Sequence, residues 1–152
     1  MLHAQVSLRI IKPHGWITHM KIEATAASPP RGSYFCPGEN GKLYTSETED
    51  SEYPFRLLCD VDWPVGVAGM RNGTYVRDLQ AVVASSVRDC IDQCALQRAS
   101  GGVCSAVVYG ADIGLALSRG GITGNCFLKD QPGKTDVADH SGQVEAAYLY
   151  TI

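Results

Sequence analysis

The chain has 152 residues, 45% of them hydrophobic and 19% charged, which suits one folded domain with a core of its own plus a short extension. No run approaches the roughly 18–20 apolar residues of a membrane-spanning helix, so no membrane insertion is expected. The net charge of −3 is uneven: residues 1–33 carry four basic side chains against one acidic, and the remainder carries nine against fifteen. An acidic domain lacks the basic face of a nucleic-acid binder, which excludes that class of partner.

In chain order, residues 1–33 read as an N-terminal extension or the remnant of an upstream segment, and residues 34–152 as the domain proper. "VSLRI" and "MKIEA" alternate weakly and predict two strands, and "ASPPRG" (27–32) predicts a linker. Arg9 and Lys12 break the apolar run that a signal peptide would need. The expectation is therefore a start further upstream, or a chain cut from a longer protein.

Within "CPGENGKLYT", Asn40-Gly41 predicts a hairpin turn, because both turn residues must reach positive φ. "FRLLC" (55–59) sets Phe55, Leu57 and Cys59 on one face of a strand, and "DVDWPVGVAGMRNG" reads as a loop. "DLQAVVA" (78–84) sets Leu79, Ala81 and Val83 on one face of another strand. A helix follows in "SSVRDCIDQCALQRASGG": Ser86 caps it, Asp89 completes a box-like pair, and Gly101-Gly102 stops it. Val87, Cys90, Ile91 and Cys94 form its apolar stripe, and Leu96 falls outside it. "VCSAVVY" (103–109), "CFLK" (126–129) and "QVEAAYLY" (143–150) predict strands, with a long Gly-punctuated loop between the first two. Tyr109, Phe127 and Tyr148 read as sheet packing. Several strands and a central helix make an α+β domain on a largely antiparallel sheet.

Six cysteines, an even number clustered between Cys36 and Cys126, predict a disulfide framework and an oxidising compartment. Cys90 and Cys94 share one helix face, but Cβ atoms one turn apart are about 5–6 Å from each other, further than a disulfide spans. Each must reach outward to the sheet. The Gly-Gly turn returns the chain to Cys104, the nearest partner of Cys94. Cys90 then reaches Cys126, and exclusion leaves Cys36 with Cys59. The rival is zinc held by four thiolates, but the Cys104–Cys126 spacing is loose and no histidine lies inside the cysteine region.

"CIDQC" on a helix, then "VCSAVVY", then "NCFLKD", resembles the PAN/apple domain family. The upstream "NGKLY…FRLLCDVDW" resembles the version common in fungal secreted proteins. The resemblance runs from about Cys36 to Leu149. It implies a curved antiparallel sheet of about five strands cradling one α-helix, and it implies the pairs Cys90–Cys126 and Cys94–Cys104. The chain departs from the apple domains of clotting-type proteases in having no cysteine after Cys126, so a disulfide joining the domain ends is absent. "DVDWPVGVAGMRNG" also differs from the glycine-rich stretch expected there.

The family resemblance implies a secreted, non-catalytic module that binds an extracellular protein or glycan. The alternative is a structural or accessory spacer of a larger secreted protein, with no ligand of its own. No cofactor or metal is expected, since Asp60 and Asp62 fall short of the six or more oxygens that calcium takes. Nor is an enzyme expected: His3, His14 and His19 lie in the extension, and Asp139-His140-Ser141, adjacent in sequence, cannot form a triad. Trp63, Tyr75, Tyr53 and Tyr44, in or beside loops, are the candidate ligand contacts, because a sugar or peptide stacks on exposed aromatic faces. Asn72-Gly73-Thr74 is an N-glycosylation sequon in a predicted loop.

Overall fold

The structure is a computed structural model that describes residues 5–11, 17–23, 32–114, 124–138 and 143–151. The chain divides into two compact units, residues 1–30 and 31–152. In the first, β1 (Gln5–Ile11) and β2 (Ile17–Glu23) pair antiparallel, Gln5 opposite Glu23 and Ile11 opposite Ile17. The linker expected at 27–32 lies outside the described residues except for Gly32, as do His3, His14 and the stretch holding His140.

The second unit is built on an antiparallel six-stranded sheet, one strand more than the expected five. Its members are β3 (Leu43–Glu47), β4 (Glu52–Cys59), β6 (Asp78–Val82), β7 (Ala106–Gly110), β8 (Cys126–Lys129) and β10 (Val144–Leu149), in the order β3-β4-β10-β7-β8-β6. The two-residue strands β5 (Val61–Asp62) and β9 (Val137–Ala138) pair separately. The extra member is β3, whose hairpin to β4 closes at Thr48–Ser51, where the Thr48 N–H and hydroxyl both donate to the Ser51 carbonyl. The hairpin turn expected at Asn40-Gly41 is not there. That pair belongs to a turn preceding β3, and only Gly41 takes positive φ, at 77°. Asn40 instead accepts the Cys59 N–H at 2.9 Å, fixing the turn to the end of β4.

The α-helix α1 (Val87–Ala99) lies against one face of the sheet. Ser86 is its N-cap and accepts the Asp89 N–H at 3.1 Å. The Asp89 carboxylate reaches back one residue further than in a capping box, to the Ser85 N–H at 2.9 Å. Val87, Cys90, Ile91, Cys94 and Ala95 are buried, an i, i+3, i+4 series that meets Phe55, Leu57, Val107, Tyr109, Leu128 and Ala147. Leu96 points to solvent, 53% exposed, which is why it stood outside the stripe. Gly101, at φ 88°, ends the helix. The returning chain is held there by Arg98 Nη1 on the Cys104 carbonyl and by the Cys104 N–H on Gln97 Oε1.

Three disulfides tie these parts together: Cys36–Cys59, Cys90–Cys126 and Cys94–Cys104, with Cα atoms 5.5–5.6 Å apart. They fit an oxidising environment. The chain-entropy view assigns each about 3–4 kcal/mol, drawn from the unfolded ensemble. All six cysteines are bonded.

The opposite face of the sheet carries a second core of Val61, Trp63, Val76, Ala106, Val108, Val144 and Ala146. Strand β7 is buried along its whole length because successive residues face the two cores in turn. Asn125 joins three strands where they end: it accepts the Ala84 N–H and donates to the Ala84 and Gly110 carbonyls, at 2.9–3.0 Å. Val83, expected to face inward, is exposed. The pairing of β6 with β8 slips between Asp78 and Gln80, and β6 ends at Val82. Among the described residues no helix is long and apolar enough to cross a membrane.

Replacing Ile91 by Ala removes side-chain atoms from the sealed helix–sheet interface and is expected to cost about 2–5 kcal/mol of unfolding free energy. Leu96→Ala is expected to stay within about 0.5 kcal/mol. Equilibrium denaturant unfolding of both variants measures the contrast.

Candidate functional site

The loop that covers the second core is itself folded. Gly66 N–H donates to the Val76 carbonyl, Val76 N–H to the Val67 carbonyl, and Gly69 N–H to the Thr74 carbonyl. Residues 66–76 thus form an irregular hairpin, with Asn72 and Gly73 at its tip and Gly73 at φ 73°. Val67 and Val76 point into the core. Their neighbours Ala68 and Tyr75, which face each other across the hairpin, point out. Met70 and Val65 are exposed as well, so the loop presents Val65, Met70 and Tyr75 to solvent, flanked by the exposed Arg71 and Arg77.

What holds this hairpin is a buried polar strap. Gln131 is buried; its Oε1 accepts the Arg71 N–H at 3.2 Å, and its Nε2 donates to Thr74 Oγ1 and the Tyr75 carbonyl. Asp130, also buried, takes the Arg77 N–H at 2.9 Å and Arg77 Nε at 3.1 Å. Gly69 lies so close to the Gln131 side chain that a Cβ there would fall 2.4 Å from it. Each buried acceptor is matched to a backbone donor of the hairpin, which fixes the loop's shape without a core of its own.

The four aromatic residues expected to present faces part company. Trp63 is 1% exposed, a core residue packed edge-to-face on Tyr148 with ring centroids 6.4 Å apart and closed over by Gly133. It offers no surface to a ligand, because the loop folds back over the sheet and buries it. Tyr44 is half-buried: its hydroxyl donates to Asp92, which also takes the Ser46 hydroxyl at 2.7 Å, and Arg88 lies 5.5 Å from its ring. Burial and then the Asp92 carboxylate raise the Tyr44 pKa. Tyr53, also half-buried, lies beneath Arg98 and packs on the helix-side core. Tyr75, 63% exposed, is the one with a free face. Asn72 is exposed, at the tip of the same hairpin. Among the described residues no group of three metal-ligating side chains is close enough to hold an ion.

A second polar feature was not foreseen. Glu145, the second residue of β10, is 1% exposed and faces the helix side of the sheet, with Cys59 of β4 and Tyr109 of β7 opposite it on the two flanking strands. Its Oε1 accepts the Phe35 N–H at 3.2 Å and lies 3.4 Å from Cys36 Sγ. Its Oε2 is sealed from solvent and has no hydrogen-bond partner. Around it stand Tyr34, whose hydroxyl donates to Asp60 at 2.8 Å, and Tyr109, whose hydroxyl donates to the Ser85 carbonyl at 3.0 Å. Burial pushes the Glu145 pKa up to about 7, with Asp60 and Glu39 adding to the rise against the Phe35 N–H and Arg88. Burial likewise raises Tyr34 to about 12, helped by Asp60, and Tyr109 to about 12, helped by Glu145. The only sequence signal for Glu145 was an acid inside an otherwise apolar strand, "VEAAYL". Gln131 and Asp130, in a short turn after β8, gave none.

No known family model, curated protein or solved structure matches the chain.

Glu145 sets a pH dependence of known sign. Its folded pKa is raised above the unfolded one, so the stability it contributes is complete below about 4.5 and is lost as pH rises through about 7. Wild-type protein is therefore expected to lose about 3 kcal/mol relative to Glu145→Gln between those limits. Denaturant unfolding of both proteins across that range checks it.

Proposed function

We propose that residues 31–152 form an extracellular, non-catalytic recognition domain of PAN/apple type, and that the outer face of hairpin 66–76 is where it meets a protein or glycan partner. The observation that carries this reading is the pairing of a braced backbone with exposed apolar side chains in and just before the hairpin. Gln131 and Asp130 hold the hairpin's backbone, while Tyr75, Met70 and Val65 stand in solvent with two arginines beside them. An aromatic anchor held in one shape loses little entropy on binding, which is how recognition loops gain affinity. The three disulfides and the sequon at Asn72, on the same tip, support an exported protein.

The spacer reading is weighed against this by the exposed side chains themselves. A domain that only separates others has no need of a tyrosine, a methionine and a valine grouped on a braced loop.

The test is saturable binding of the folded chain to a glycan array and to an array of extracellular proteins. Tyr75→Ala is expected to weaken whatever binding is found by about tenfold or more, with the thermal midpoint unchanged because the side chain is exposed. Met70→Ala is expected to act in the same direction by a smaller factor. Binding that survives both substitutions, or no saturable binding on either array, overturns the reading in favour of the spacer.

A further inference from the structure

The three disulfides differ in their surroundings. Cys90, Cys94, Cys104 and Cys126 are fully buried, whereas Cys36 and Cys59 are only half-buried. The half-buried bond also has a carboxyl group in contact with it, Glu145 Oε1 at 3.4 Å from Cys36 Sγ. That carboxyl is sealed beneath residues 32–36 and has one oxygen without a partner. A core acid with an unmatched oxygen is costly, and the hydrogen bonds of the fold do not account for it.

We propose that Cys36–Cys59 is an exchangeable disulfide opened by an external dithiol, and that Glu145 is the resident proton donor to the thiolate released. One thiolate of the reductant attacks Cys59 Sγ. A new sulfur–sulfur bond forms there, the Cys36–Cys59 bond breaks, and Cys36 leaves with the electron pair. Cys36 takes the proton from Glu145 Oε1, whose other lone pair still holds the Phe35 N–H. The second thiol of the reductant loses its proton to solvent and attacks the reductant's own sulfur in the mixed disulfide, while Glu145 regains a proton from solvent. This expels Cys59 as a thiolate that takes its proton from solvent. The reductant ends as a disulfide and the protein as a dithiol, a two-electron exchange.

Protonation controls the step in two ways. Neutral Glu145 neutralises the leaving sulfur. Ionised Glu145 instead leaves a carboxylate beside a nascent thiolate in a poorly solvated site, where like charges repel strongly. The other groups facing it are Tyr34 from the covering segment, Asp60 just after β4, Tyr109 on β7, Glu39 in the turn before β3, and Arg88 on α1, while Asp89 of α1 acts on Tyr109. Glu39 is tied to both Lys42 and Arg88, so the arginine does not neutralise Glu145 alone. The raised Glu145 pKa places the change near neutral pH, where a secreted protein meets thiol reductants. This inference rests on the buried acid and its disulfide, and is independent of hairpin 66–76.

The experiment exposes the folded full chain to limiting dithiothreitol at a series of pH values, quenches with an alkylating reagent and maps the labelled cysteines by mass spectrometry. Cys36 and Cys59 are expected to be labelled first, about tenfold or more ahead of the other four. The rate constant, divided by the thiolate fraction of the reductant, is expected to fall about tenfold as pH rises through neutrality, and Glu145→Gln is expected to flatten that fall. The loss of stability on ionising Glu145 raises the reactivity of all three disulfides alike, so the fall is read as the Cys36–Cys59 rate relative to that of the other two bonds, and a purely structural role leaves that ratio flat with pH. Three disulfides opening together, a different first bond, or coincident profiles for wild type and variant overturns the proposal. Should Glu145→Gln fail to fold, a wild-type profile with no fall through neutrality overturns it equally.

Discussion

The covalent anchoring of α1 to the sheet is the constraint on which the other features depend. Cys90 and Cys94 stand one turn apart on the buried face, and each bonds to a different part of the sheet side, Cys126 at the start of β8 and Cys104 just ahead of β7. Two rivets along a rod fix its rotation as well as its position. With rotation fixed, Ile91 meets the core, Arg88 reaches Glu39, and Asp92 meets Tyr44 and Ser46. The polar side of the helix is thereby committed to the edge strand β3, which is otherwise held by its pairing with β4.

The two faces of the sheet are covered by different means. One face is closed by a helix with a regular apolar stripe. The other is closed by a loop whose order comes from buried polar side chains reading its backbone, Gln131 and Asp130 above all. This division leaves the loop's outer side chains unconstrained by packing. The helix side, in contrast, is closed so tightly that it contains an acid: the segment 32–36 seals Glu145 against the Cys36–Cys59 bond. Gly32 makes that seal possible, since a Cβ there would overlap the Tyr109 hydroxyl.

The helix, its cap, its stop and the strands β4, β7, β8 and β10 were legible in the sequence because each rests on local spacing: an i, i+3, i+4 stripe, a Ser before it, Gly-Gly after it, and alternation. What was not legible depended on tertiary contacts. Asn40-Gly41 carries turn chemistry, but whether two strands flank it is decided by where Cys59 lies, and Asn40 ended up bonded to that residue's N–H. Trp63 sits in a Gly- and Pro-rich stretch that reads as surface, yet the stretch folds over the sheet and buries the indole. Val83 continues the alternation of β6 on paper, but a slip in register sends it outward. Tyr75 and Tyr44 look alike in sequence, and only the presence of Asp92 and Arg88 around the second separates them.

The sheet order has a consequence for how this chain is made. The strand nearest the C-terminus, β10, is inserted between β4 and β7, so within the sheet it is the strand that joins a two-stranded half to a three-stranded half. While synthesis is in progress, both halves have an unpaired backbone edge, and α1, through Asp92 on Tyr44 and Ser46 and its disulfides to Cys104 and Cys126, can hold them side by side before β10 pairs with either. The sheet is therefore completed only once β10 has been made, after all six cysteines have already emerged. Removal of β10 as a whole would leave two fragments of a sheet in place of a smaller one.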